Sequence, residues 1–210
     1  MTEGRNPWLS QPAAPEPVVP AEAEEPAARP TGPTTPQRGV PAPEREAQLP
    51  IFSQRRRAEL WCLGAHGGAG ETSLAALVEG WATACHGWPQ VPGGETAAVV
   101  LTARSNMHGL RAAQNAATQW ASGLVPNVNL LGLVIVADAP GRLPRPLRDF
   151  AKIVAGGVPR MWTVPWVEAW RLGDDPQLSD APHAVRRFVD DVRALTRPGA
   201  AGTTNRKEPR

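Results

Sequence analysis

The 210-residue chain has only two cysteines, Cys62 and Cys85. That is too few for a disulfide framework or a cysteine metal site, so both read as buried free thiols on apolar faces. No stretch approaches 18 consecutive apolar residues, so no membrane-spanning segment is expected. Residues 1–10 lack the apolar core of a secretory signal, and a cytoplasmic location is expected. Charge of one sign is also missing: the formal net charge is +2, too small to argue for nucleic-acid binding. Lysine is nearly absent, two against 20 arginines. With abundant Ala, Pro and Gly, that bias reads as the codon usage of a GC-rich genome. The histidines His66, His86, His108 and His183 have no ligand-like spacing. No Ser-His-Asp set, paired carboxylates or internal repeat stands out.

Proline, by contrast, is plentiful and uneven. Half of the 24 prolines fall in the first 50 residues, a stretch without apolar periodicity. Residues 1–50 therefore read as a disordered Pro-rich arm, unable to bury enough apolar surface to offset chain entropy. The arm holds four Arg and seven Glu, the remainder 18 basic and 13 acidic residues, so a mildly acidic arm precedes a mildly basic domain. Residues 51–197 form one α/β domain in this reading, and 198–210 a frayed polar tail.

Within the domain, apolar runs alternate with helical spacing. Leu60–Leu63, Ala97–Thr102, Leu130–Ala137 and Arg160–Val164 read as buried strands. Helices are expected after Gly70 as far as about Cys85, then over 106–121 capped by Ser105 or Asn106, over 145–155, and from Ser179 or Asp180 onward, with one or two helical turns at Trp166–Leu172. Strands that are continuous apolar runs separated by helices argue for a compact three-layer parallel sheet, buried on both faces. Such sheets bind ligands at the carboxyl ends of their strands. Arg104, Asp138, Pro165 and Trp166 fall there.

The first of these units organises the rest. A strand, a glycine turn and a helix is the context in which a P-loop cradles phosphate on backbone N–H groups. The candidate loop is His66, Gly67, Gly68, Ala69, Gly70, Glu71, Thr72 and Ser73. Thr72, with Asp138, would hold Mg²⁺ if ATP or GTP bound. The motif G-x-x-x-x-G-K-[ST] needs Lys where this chain has Glu71. At about 4 Å and an effective dielectric of about 20, one unit-charge contact is worth about 4 kcal/mol. A carboxylate facing the phosphates would therefore weaken binding severely. A vestigial loop, whose glycines make only a tight turn, is the alternative.

HGGAGETS resembles the altered Walker A, K-G-G-x-G-K-[ST]-[ST], of the MinD/ParA group of P-loop ATPases. The group's two lysines fall on His66 and Glu71. LLGLVIVADAP, and GGVPRMWTVPWVEAWRLGDDP after a helix, are similar to that group's late strands, with Val164-Pro165-Trp166 and Ala169–Gly173 matching their ending. The resemblance spans roughly Glu59–Pro176 and extends to a set of uncharacterised bacterial proteins with a compact, altered loop. It implies a P-loop NTPase-like fold. By resemblance alone, DNA segregation, mobile-element maintenance or assembly positioning are implied settings, with a DNA partner or a homodimer. Asp138 sits at the ligand edge whether its strand matches a late strand or the switch strand of that group.

The expected function is a non-catalytic adaptor or regulator with no catalytic residue; the alternative is an ATP- or GTP-binding switch with weak or no hydrolysis. A protein partner would dock on Asn6–Leu9, an apolar island in the arm, or on the region of Trp162, Trp166 and Trp170. Arg142, Arg145, Arg148 and Lys152 read as a solvated helix face or a site for an acidic partner. No membrane anchor is expected.

Overall fold

A computed structural model of the chain describes residues 30–197. The Asn6–Leu9 island and the 198–210 tail lie outside the described residues. Among the described residues seven strands and five α-helices follow in chain order: β1 (Ile51–Ser53), β2 (Leu60–Gly64), α1 (Glu71–Ala76), β3 (Trp81–Thr83), β4 (Trp88–Gln90), β5 (Ala97–Arg104), α2 (Met107–Ala121), β6 (Val128–Val136), α3 (Arg145–Ala155), β7 (Met161–Val164), α4 (Glu168–Leu172) and α5 (His183–Thr196).

Five strands make a parallel sheet in the order β3-β2-β5-β6-β7. Every residue of β2 is buried, as are the last seven of β6, as continuous apolar runs require of a sheet covered on both faces. On one face α2 and α3 pack Leu110, Ala113, Ala117 and Val154 onto Leu63, Leu101 and Leu133. On the other, α1 and α5 pack Leu74, Val185, Phe188 and Val192 onto Cys62, Val100 and Val134. The chain is thus α/β, with helices on both faces of a parallel sheet. The path from β2 goes outward to β3, then returns across β2 to β5. The connections leaving β2 and β5 therefore diverge, and the crevice at their carboxyl ends is the switch point of the sheet.

Three expectations are corrected here. The helix after Gly70 is six residues long rather than running to Cys85. Trp81–Thr83 pairs alongside β2 as an edge strand, because Leu74, Leu77, Val78 and Trp81 share one buried cluster without needing to share one helix. Cys85 is exposed, not buried: it and His86 take left-handed φ values of 51° and 57° in the turn after β3. Only Cys62 lies in the core. The last helix starts at His183 behind Pro182 rather than at Ser179 or Asp180.

The expectation for the arm is also revised from residue 30 onward. Residues 30–50 lie against the α2/α3 face, with Val40 and Leu49 packed on that cluster. The Thr31 N–H donates to Pro159 O (2.9 Å), and the Gln37 N–H to Ala121 O (2.8 Å). The buried Gln119 pins the far end. Its Oε1 accepts from the Leu49 N–H and from Trp88 Nε1 (2.9 Å each), and its Nε2 donates to Leu49 O at 2.9 Å. Few apolar residues are needed where one amide satisfies three polar groups. Gln119→Ala should cost about 2 kcal/mol, because it leaves the indole N–H of the fully buried Trp88 without a partner, whereas water can reach the half-buried Leu49. A urea midpoint equal to the parent's would show that the amide holds nothing.

Candidate functional site

A cleft of about 450 Å³ opens over the carboxyl ends of β2, β5, β6 and β7. Its walls include His66, Gly67, Gly68, Gly70 and Ser73 from the loop after β2, and Arg104, Asn106 and His108 at the β5–α2 junction. Asp138 after β6, and Pro165, Trp166, Trp170 and Arg171 after β7, complete them. The sheet brings the candidates together as strand-end residues must converge in this topology. Thr72 and Glu71 are not among the lining residues; Ser73, one position further on, is.

The loop is tied down by His66. The Arg104 backbone N–H donates to His66 Nε2 (3.1 Å), so that nitrogen carries no proton. Nδ1 is then the protonated one and donates to Gly67 O (2.9 Å). This neutral imidazole fastens the glycine loop to β5. Arg104 completes the clasp: its Nε donates to Gly68 O and an Nη to Ala137 O, both at 2.9 Å. These two bonds hold a guanidinium at the centre of the switch-point crevice. The backbone N–H groups of Gly67, Gly68 and Glu71–Ser73 find no acceptor among the described residues. Across the cleft Asn106 caps α2, accepting from the Gly109 N–H (2.8 Å), and its Nδ2 donates to Asp138 Oδ2 (3.0 Å). Asp138 is the one carboxylate among the lining residues.

Glu71 departs from the expectation that it opposes phosphate charge. Its carboxylate is buried, with Oε1 3.2 Å from His86 Nε2. His86 Nδ1 faces Gly64 O at 3.3 Å and must donate to it. Nε2 and Oε1 are then within hydrogen-bond reach of each other. Gly64 makes room: a Cβ there would sit 2.7 Å from both the Glu71 carboxyl and the His86 ring. The carboxylate is thus folded over the end of β2, toward Cys62. Burial, and secondarily the Glu71 charge, push the Cys62 thiol well above its ordinary range. A thiol reagent on the native protein should consequently modify Cys85 alone, with Cys62 reacting only after denaturation; two fast-reacting thiols in the native state would contradict this packing.

The three tryptophans separate. Trp162 is in the core, its indole N–H donating to Asp191 Oδ2 (2.9 Å). Trp166 precedes the short helix that contains Trp170, and both line the cleft. Sequence reasoning missed His108 and Arg171 as cleft residues. The Asn106 cap could have placed His108 at the sheet edge, since the first turn of a helix that follows a strand faces that edge. Arg171 had no such signal. Among the described residues no three His, Cys, Asp or Glu side chains are grouped as a metal site, and no helix is long and apolar enough to cross a membrane.

Comparison with curated proteins and with solved structures gives no match. The resemblance to the MinD/ParA group is corrected: no model of that group or of a P-loop family matches the chain. The features behind it, a glycine turn after one buried strand and a Val-Pro-Trp after another, belong to the strand ends of this sheet. The settings it alone implied, in DNA segregation, mobile-element maintenance and assembly positioning, lose their ground with it. A family model described as a family of unknown function does match, over residues 58–189. That span holds β2 through the first half of α5 and the whole lining of the cleft, and the chain belongs to this family, DUF6668.

Proposed function

We propose that the protein is a non-catalytic regulator that binds a nucleotide, or a like phosphate-bearing ligand, in the carboxyl-edge cleft. Arg104 carries this reading. Its guanidinium is fixed by two backbone carbonyls at the switch point, beside a glycine loop with unpaired N–H groups. A charge-assisted hydrogen bond of this kind contributes about 1.5–3 kcal/mol. Trp166 and Trp170 offer flat apolar walls for a base. The cleft volume is in the range of small-ligand sites. Glu71, which on sequence grounds argued against phosphate, lies outside the lining. In this reading binding, rather than turnover, is the output.

Titration calorimetry with ATP, GTP and tripolyphosphate, each with and without Mg²⁺, tests it. The parent should bind at least one of them, with no phosphate released over hours. Arg104→Ala should weaken that binding about 10- to 100-fold, as expected when one charge-assisted hydrogen bond to the ligand is removed, and Arg104→Lys by less. Absence of binding at millimolar ligand would refute the proposal, as would equal affinity in Arg104→Ala.

A further inference from the structure

A second cavity, about 710 Å³, lies between α3 and β7, the edge strand of the sheet. Its floor is apolar, with Leu143, Leu147, Ala151 and Met161; Arg142, Arg148 and Lys152 stand around it. Lys152 is 3.8 Å from Asp149, whereas the Arg142 and Arg148 side chains have no acidic partner among the described residues. The described chain begins at the foot of this groove. Thr31 is hydrogen-bonded to Pro159 O and Val158 O, just before β7. Gly32 lies so close to the end of α3 that a Cβ would come within 2.4 Å of Gly156 O. The described chain thus starts at the junction of the groove's two walls, with residues 1–29 preceding it in the sequence.

Those residues hold five glutamates and two arginines, the whole of the arm's net negative charge. Glu16, Glu22, Glu24 and Glu25 sit among prolines, Val18, Val19 and alanines. We infer that the groove between α3 and β7 docks this acidic, Pro-rich segment, residues 16–29 of the same chain. The reach suffices. A Pro-rich chain extends about 3.1 Å per residue, so Glu25 lies up to about 19 Å and Glu22 up to about 28 Å from Thr31. Five residue steps along the β7 edge, from Met161 to Trp166, cover about 17 Å. Opposite charges then meet over an apolar floor, and prolines suit an edge where ladder hydrogen bonds are not required. The groove shares Asp138, Pro165 and Trp166 with the ligand cleft, but this docking does not depend on any ligand there.

Lysine scarcity makes the test specific, since the chain has only Lys152 and Lys207. A zero-length carbodiimide reagent applied to the unaltered full-length protein should join Glu22, Glu24 or Glu25 to Lys152 within the monomer, as mapped by mass spectrometry. The yield should fall several-fold in 0.5 M NaCl, which screens opposite charges at the surface, and in the Arg142→Glu/Arg148→Glu variant, whose altered side chains are both exposed. A cross-link found only between two chains would overturn the inference in favour of a second copy as occupant. Lys152 joined to Asp149 alone, or arm cross-links indifferent to salt and to charge reversal, would overturn it outright.

Discussion

Phe188→Ala is expected to lower the unfolding free energy by about 3–5 kcal/mol, the usual cost of emptying a filled aromatic site. Phe188 is fully buried on α5 and stands edge-to-face with two indoles, its centroid 5.7 Å from Trp81 and 5.5 Å from Trp162. Trp81 belongs to one edge strand of the sheet and Trp162 to the other. One ring on one helix therefore joins the two edges across that face, and its removal leaves a cavity that both indoles would have to relax into. Each edge-to-face pair adds about 0.5–1.5 kcal/mol beyond area burial. Phe188→Leu, which keeps most of the volume, should cost clearly less. Chemical denaturation checks both variants; a midpoint for Phe188→Ala equal to the parent's would place α5 outside the core.

Glu71→Ala is the second large effect, and it concerns stability rather than ligand. Removing one member of a buried pair leaves the other unpaired, at about 3–5 kcal/mol when burial is complete. His86 is 42% exposed and can turn toward water, so about 3 kcal/mol is expected. Affinity for a phosphate-bearing ligand should change little, because the carboxylate packs over Gly64 and not among the cleft residues. The measurement is a thermal or urea unfolding curve beside a ligand titration. An unchanged midpoint with markedly tighter ligand binding would mean that Glu71 faces the cleft after all.

Much of the sheet was legible because its signals are local. The Leu130–Ala137 run could be little other than a strand buried on both faces, and the apolar spacing of 145–155 matches α3 at both ends. The convergence of Arg104, Asp138, Pro165 and Trp166 followed from their places at the carboxyl ends of parallel strands: Arg104 closes β5, and the others lie just beyond β6 and β7. What failed depended on distant partners. Trp81 fits a helical period from Leu74 as well as a short strand, and only pairing with β2 decides between them. The direction of Glu71 depends on a glycine seven residues before it and on a histidine held by a left-handed turn. Residues 30–50 have too little apolar content to predict packing; they are held instead by a buried glutamine some 70 residues away in the chain.

Under the proposed function the loop divides its labour: Arg104 meets the ligand and Glu71 holds the fold. The most direct measurement is a side-by-side calorimetric titration of the parent, Arg104→Ala and Glu71→Ala with the triphosphate that the parent binds best, at a temperature where all three are folded. A weakening of about 10- to 100-fold is expected for Arg104→Ala, and an affinity near the parent's for Glu71→Ala. A parent-like affinity in Arg104→Ala, with the change appearing in Glu71→Ala instead, would contradict it.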